Sequence, residues 1–119
     1  MVEISSAAEP GQRTSQLLRG VLDMCLLALI SEEPSYGYEM VRKLERRGLE
    51  LVSEGTIYPL LSRLQRRALV ETYLTPSIGG PPRKYYRITA RGREALGVWT
   101  SEWDDFTRSV DSVVEGGSS

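Results

Sequence analysis

Apolar side chains recur at helical spacing in four stretches of the chain, with two short β-prone runs between the third and the fourth. In the first, Leu17, Leu18, Val21, Leu22, Cys25, Leu26, Leu29 and Ile30 follow at steps of one, three and four. That spacing predicts one helix with a broad apolar face over about residues 15–30. Pro34 closes the turn after it. In the second stretch Ser35 is placed to cap a helix that turns Tyr38, Val41 and Leu44 inward. Gly48 suits its left-handed stop. In the third, Ser53 is the expected cap and Glu54 sits in the first turn, where the helix dipole favours a carboxylate. Ile57, Leu60, Leu61 and Leu64 form its apolar stripe, and Thr56, Tyr58, Ser62, Arg63, Arg66 and Arg67 its other side. Pro59 would cost this helix a backbone hydrogen bond if it begins at Glu54, and none if it begins near Thr56; both starts fit the sequence.

The β-prone runs are Leu69 to Thr75 and Lys84 to Ile88. Pro76, Pro81 and Pro82 with Gly79 and Gly80 lie between them, which predicts an irregular hairpin loop. Tyr85 and Tyr86 alternate across the strand, so one is expected inside and the other outside. Thr89 caps the last helix. There Leu96, Trp99, Trp103, Phe106, Val110 and Val113 are spaced 3, 4, 3, 4, 3, the narrow seam of a helix that packs on another helix. The element order is helix, helix, helix, strand, strand, long helix. The expected fold is mainly α with a small β-hairpin wing (α+β): a winged helix-turn-helix over residues 14–88 and a dimerisation helix over 89–114. A disordered leader (1–13) and a flexible tail (115–119) flank them.

Composition narrows the chemistry. The chain has 119 residues, one cysteine and no histidine, so the commonest general base, the Ser-His and Cys-His nucleophile pairs and a structural zinc site are all missing. Cys25 reads as a small buried hydrophobe. Neither enzymatic activity nor a cofactor or metal is expected. The longest apolar run is far short of the roughly 20 residues needed to cross a bilayer, and no export signal is evident at the start; a cytoplasmic protein without membrane contact is expected. Net charge is −1, yet it is unevenly spread. Residues 35–93 carry twelve Lys/Arg against five Asp/Glu, a net of +7, between acidic ends of −3 and −5. A basic centre on a helix-turn-helix suits double-stranded DNA. The second and third helices form the candidate pair. Gly55, Thr56 and Tyr58 stand at the reading end, Arg63 and Arg66 one and two turns on, and Arg83 and Lys84 in the wing, suited to phosphate.

The run Glu54-Gly-Thr-Ile-Tyr-Pro-Leu-Leu61 with Arg63-Leu64 resembles the recognition helix of PadR-type transcriptional regulators. The run Gly80-Pro-Pro-Arg-Lys-Tyr-Tyr-Arg-Ile-Thr89 with Gly92 resembles their wing and the entry to their last helix, and Tyr36-Gly37-Tyr38-Glu39 the start of their second helix. The resemblance covers about residues 15–110 and fits the compact class with a single C-terminal helix. It implies a homodimeric repressor that binds inverted repeats and releases on sensing an effector. It further implies DNA contacts by Tyr36, Thr56, Tyr58, Arg63, Arg83 and Lys84. Trp103 matches a tryptophan that stacks planar aromatic ligands across the dimer in multidrug-sensing relatives. Trp99 and Leu22 join it in the expected effector site, with Trp99 either filling or lining the pore. Leu18 joins Leu96, Trp99, Trp103, Phe106, Val110 and Val113 in the expected dimer interface. Asp104 and Asp105 beside Trp103 would favour a cationic effector. Ala68 departs from the family, standing where a glycine often ends the recognition helix.

Overall fold

A computed structural model describes residues 12–50 and 52–116. The elements run α1 (Gln12–Arg19), α2 (Leu22–Glu32), β1 (Ser35–Tyr36), α3 (Gly37–Arg46), α4 (Glu54–Arg66), β2 (Val70–Ser77), β3 (Gly80–Ile88) and α5 (Ala90–Val114). The expected leader lies, up to residue 11, outside the described residues, and Gln12 and Arg13 are already helical; residues 117–119 of the expected tail also lie outside them.

The single first helix expected from the apolar spacing is two helices bent by 69°. Gly20 and Val21 make the break, closing tight turns onto the carbonyls of Leu17 (3.3 Å) and Leu18 (2.9 Å). No proline marks it, and the apolar face runs on across the bend. Its effect is to divide two neighbouring leucines. Leu18 enters the core at 9% exposure, whereas Leu17 stays 65% exposed.

α2 is the centre of the fold and packs against α3, α4, α5 and β3. Its Leu26, Leu27 and Ile30 meet Met40 from α3 and Ile57, Leu61 and Leu64 from α4 in one fully buried cluster. Each such leucine contributes roughly 1.5–3 kcal/mol by leaving water. The expected stripe of α4 is thus inward, with Leu60 at its half-buried margin.

The second helix begins one residue later than a Ser35 cap would require, with Tyr36 in the cap position. Ser35 and Tyr36 instead form β1, pairing with Tyr86 and Tyr85 of β3, so the sheet has three antiparallel strands in the order β1-β3-β2. Ser35 is fully buried and satisfied, donating to the Glu33 carbonyl (3.2 Å) and accepting from Lys43 Nζ (2.9 Å). The inward residues of α3 are Gly37, Met40 and Leu44. Tyr38 faces solvent, where Arg42 donates to its hydroxyl (2.9 Å). The first inward position holds a glycine, which apolar spacing cannot register. α3 stops at Gly48 with φ +99°. The Leu49 N–H reaches the Leu44 carbonyl (2.9 Å) and the Gly48 N–H that of Glu45 (3.1 Å), a Schellman closure.

α4 ends the same way, but with alanine in the glycine slot. The Leu69 N–H bonds the Leu64 carbonyl (3.0 Å), the Ala68 N–H that of Gln65 (2.9 Å), and Ala68 takes φ +61°. The chain then enters the hairpin. Here β-structure runs further than expected: the strands meet at Ser77 and Gly80 around a two-residue turn, Ile78–Gly79, with an irregularity between Thr75 and Ser77. Prolines fit because β1 pairs only with residues 85 and 86, leaving the outer edge of residues 80–83 without a partner strand. Thr89 caps α5 as expected, its hydroxyl accepting from the Gly92 N–H (3.0 Å). Gly92 lies so close to the Leu69 carbonyl that a Cβ would collide with it.

Candidate nucleic-acid interface

α3 and α4, joined by the Gly48 turn, form the helix-turn-helix, and the sheet extends beside it as the wing. α4 begins at Glu54, so Pro59 lies inside the helix and the Gly55 carbonyl loses its ordinary amide donor. Ser53 holds the cap position without a side-chain bond to the backbone; its Oγ lies 3.1 Å from Thr56 Oγ1. Gly55 and Thr56 stand exposed in the first turn.

Tyr58 lies one turn in from the start. Its ring lies over Gly37, where any Cβ would run into the phenol. Its hydroxyl donates to Glu54 Oε1 (3.0 Å). Burial first, and then that hydrogen bond, holds the phenol above its ordinary pKa, so Tyr58 remains a protonated donor at neutral pH. Gly37 is therefore part of the site although sequence spacing does not single it out. The Tyr-Gly-Tyr run at the start of α3 is the signal that marks it. In the same turn of α3, Glu39 Oε1 is buried with no hydrogen-bond partner among the described residues, and the helix N-terminus is the local field that offsets its charge.

The sheet sorts the remaining residues onto two faces. Register puts Tyr36, Tyr73, Arg83, Tyr85 and Arg87 on the outer face. Tyr85 meets Tyr36 edge-on (5.3 Å between centroids) and stacks on Tyr73 (5.6 Å). Arg83 covers Tyr36 at 4.7 Å and Arg87 covers Tyr73 at 4.9 Å, a ladder of rings with a cation at each end. Lys84 is on the opposite face, 5.7 Å from the ring of the buried Tyr86. The two wing cations thus diverge, Arg83 beside Tyr36 on the outer face and Lys84 on the face that carries the buried Tyr86. Of the two adjacent tyrosines, Tyr86 is the inner one and Tyr85 the outer. Arg63 and Arg66 are exposed on α4 and form no ion pair among the described residues.

The last helix carries a second candidate site. Leu96 and Trp99 pack on the edge of the core, but beyond them the seam has no cover among the described residues. Phe106 is 62% and Val113 79% exposed, and Trp103 and Val110 are also open. Between this seam and α1 runs a groove of about 880 Å³, lined by Leu17, Val21, Met24, Trp99, Trp103 and Phe106 among others. Trp99 both packs on the core edge and lines the groove, while Arg67 lies over its ring (5.6 Å). Leu18 and Leu22 do not reach this groove. Both are core residues, at 9% and 3% exposure, and border a smaller cavity of about 320 Å³ beside Thr56 and Leu60. The bend at Gly20 turns them inward and Leu17 outward. Asp104 and Asp105 likewise face away; the carboxylates at the groove are Asp23, Glu102 and Asp111. Cys25 is half-buried, and burial together with Asp23 raises its thiol pKa, which disfavours the thiolate. No single helix among the described residues is long and apolar enough to cross a membrane.

Comparison with known proteins agrees with this geometry. The model of the transcriptional regulator PadR-like family matches residues 26–98, from α2 into the first turns of α5. A PadR-like transcriptional regulator from Bacillus cereus is 46% identical and superposes with a TM-score of 0.76, covering 85% of this chain and 98% of that one. A PadR family transcriptional regulator from Eggerthella lenta is 32% identical with a TM-score of 0.81, covering 96% and 95%. The transcriptional regulator YqjI of Escherichia coli is 31% identical over 88 residues, which make up 72% of this chain but 41% of YqjI. Members of the family are DNA-binding regulators, not enzymes. With a winged helix-turn-helix, a three-stranded wing and a long helix after it, the chain belongs to the PadR-like family of transcriptional regulators.

Proposed function

We propose that this regulator is a cytoplasmic, ligand-responsive repressor that binds an inverted-repeat operator as a homodimer. The observation that carries the reading is the open seam of α5, where Trp103, Phe106, Val110 and Val113 face solvent in the single chain. A second copy meeting the first along this line would bury them. Two recognition helices would then stand about 34 Å apart, one turn of duplex. On each half-site Gly55, Thr56 and Tyr58 face base edges, while Tyr36, Arg63, Arg66, Arg83 and Lys84 hold phosphates.

The effector site is the groove between α1 and α5. Its tryptophans suit a small planar aromatic compound, and Asp23, Glu102 and Asp111 at its margin favour a cationic one. Sedimentation of the chain with and without an operator duplex tests the assembly, and salt titration of the complex tests the contacts. The expected results are a dimer in both states and a slope that flattens by about 0.9 for each phosphate contact removed, for example by Lys84→Ala. A monomer that binds DNA as a monomer rejects the proposal. Titration of a planar cationic dye, followed by tryptophan fluorescence, tests the effector site; an unchanged signal at saturating dye rejects it.

A further inference from the structure

The wing ends in a feature that the phosphate contacts leave unused. Ile78 occupies the first central position of the two-residue turn and is 106% exposed. Single exposed apolar residues are ordinary on protein surfaces. Here the left-handed position of the turn is taken by Gly79 (φ +75°), so the slot of Ile78 accepts most residues, and hairpin closure does not require an isoleucine there. Around it the tip is slim and offers no free side-chain donor. Gly79, at φ +75°, and Gly80 have no side chains. The Ser77 hydroxyl is engaged by the Pro81 carbonyl, and Pro76, Pro81 and Pro82 lack amide donors. Ile78 is therefore the side chain at the apex, and with the exposed rings of Pro76, Pro81 and Pro82 behind it the tip presents an apolar surface without a donor.

The cations lie behind the tip on opposite faces of the ribbon, Arg83 three residues from Gly80 and Lys84 four. At about 3.3 Å per residue the tip projects about 10 Å beyond Arg83. The minor groove of B-DNA is about 6 Å wide and 7.5 Å deep between two phosphate walls. A ribbon entering it tip-first, with one cation toward each wall, carries its tip to the groove floor. There a guanine 2-amino group would clash with an apolar side chain and lose its water, whereas an A·T floor has no such group.

We propose that Ile78 is a specificity-determining residue, packing on the floor of an A·T-rich minor groove that flanks each half-site. The proposal rests on the DNA-binding reading and adds to it a sequence preference outside the major groove. The test uses the full chain and the duplex that it selects most tightly from a random pool. Adenines at each flanking position are replaced by 2,6-diaminopurine, which adds a 2-amino group in the minor groove and leaves the major-groove edge unchanged. Affinity of the wild type should fall about tenfold at one or two positions per flank, the scale of a mismatched base pair. Ile78→Gly should lose that sensitivity, and Ile78→Val should keep it. Because Ile78 touches no core, Ile78→Val should unfold at the wild-type temperature, and Ile78→Gly a few degrees below it at most, through the freedom glycine gives the unfolded chain. A wild type insensitive to diaminopurine at every flanking position, or an Ile78→Gly chain as sensitive as the wild type, overturns the proposal and leaves DNA binding standing. A chain that selects no duplex at low salt overturns both.

Discussion

Replacing Ala68 by glycine should stabilise this protein, although it removes atoms. Ala68 closes α4 at φ +61°, a conformation that costs an L-residue roughly 1–2 kcal/mol through the contact of Cβ with the backbone. Glycine escapes that contact, but it gives the unfolded chain more freedom, which offsets about 0.4–1 kcal/mol. The Ala68 methyl is exposed, so almost no burial is lost. The net gain is about 0.5–1 kcal/mol, or roughly 2–4 °C in Tm for a chain of this size. The matched control is Gly48→Ala, the same closure at the end of α3 with φ +99°, which should cost about 1 kcal/mol or more. Thermal and urea unfolding at one fixed protomer concentration measure both variants and remove any contribution of self-association to the comparison. In urea the midpoint of Ala68→Gly should rise by a few tenths molar with an unchanged slope. If Gly48→Ala is destabilised as stated and Ala68→Gly is neutral or worse, the account of left-handed strain at residue 68 is wrong.

Other substitutions probe other joints. Gly92→Ala drives a methyl into the Leu69 carbonyl and Ile88 and should cost about 1–3 kcal/mol; a urea midpoint within error of wild type would contradict the close approach. Phe106→Asp puts a charge in the α5 seam and should yield monomers in sedimentation equilibrium, while a persistent dimer would move the interface elsewhere. Glu32 accepts two hydrogen bonds from Arg47 (2.8 and 3.0 Å), chiefly through which its pKa lies below the ordinary value. A depressed folded pKa means that its contribution is present above about pH 4.3, the unfolded glutamate value, and is lost as pH falls through the folded value. Tm should therefore fall more steeply between pH 6 and pH 3 for the wild type than for Glu32→Gln, and identical profiles would remove Glu32 from the acid response.

Much of the scaffold was legible because it rests on spacing and caps. The stripe Ile57, Leu61, Leu64, the left-handed stop at Gly48 and the Thr89 cap were all readable, each with a local physical cause. What escaped was either too short or too quiet. β1 is two residues long, below the length at which alternation can be recognised, and its Ser35 looks like a cap until Tyr86 is seen to pair with it. The inward glycine of α3 concealed the helix phase, so Tyr38 was expected inside. The bend at Gly20 interrupts no apolar period, so Leu18 and Leu22 were expected at surfaces from which it removes them. Proline discouraged a strand reading of residues 80–83, because a lone sequence does not tell which strand edge will stay free. At the candidate site the residue types were readable, but the opposite facing of Arg83 and Lys84 follows only from register.

The junction between wing and last helix has a mechanical consequence. The end of α4 is fastened to the root of α5 by three contacts. The Thr89 hydroxyl donates to the Ala68 carbonyl (2.7 Å), the Thr89 amide donates to the Leu69 carbonyl (3.1 Å), and Gly92 presses on that same carbonyl. Nothing at this joint is free to swivel, so α5, 25 residues and about 37 Å long, works as a lever arm rather than a tether. If two such arms cross near their far ends, a pivot of about ten degrees there displaces each reading head by about 6 Å, nearly two base-pair steps. A small molecule wedged beside the crossing could then detune the operator fit without touching the DNA-facing surface.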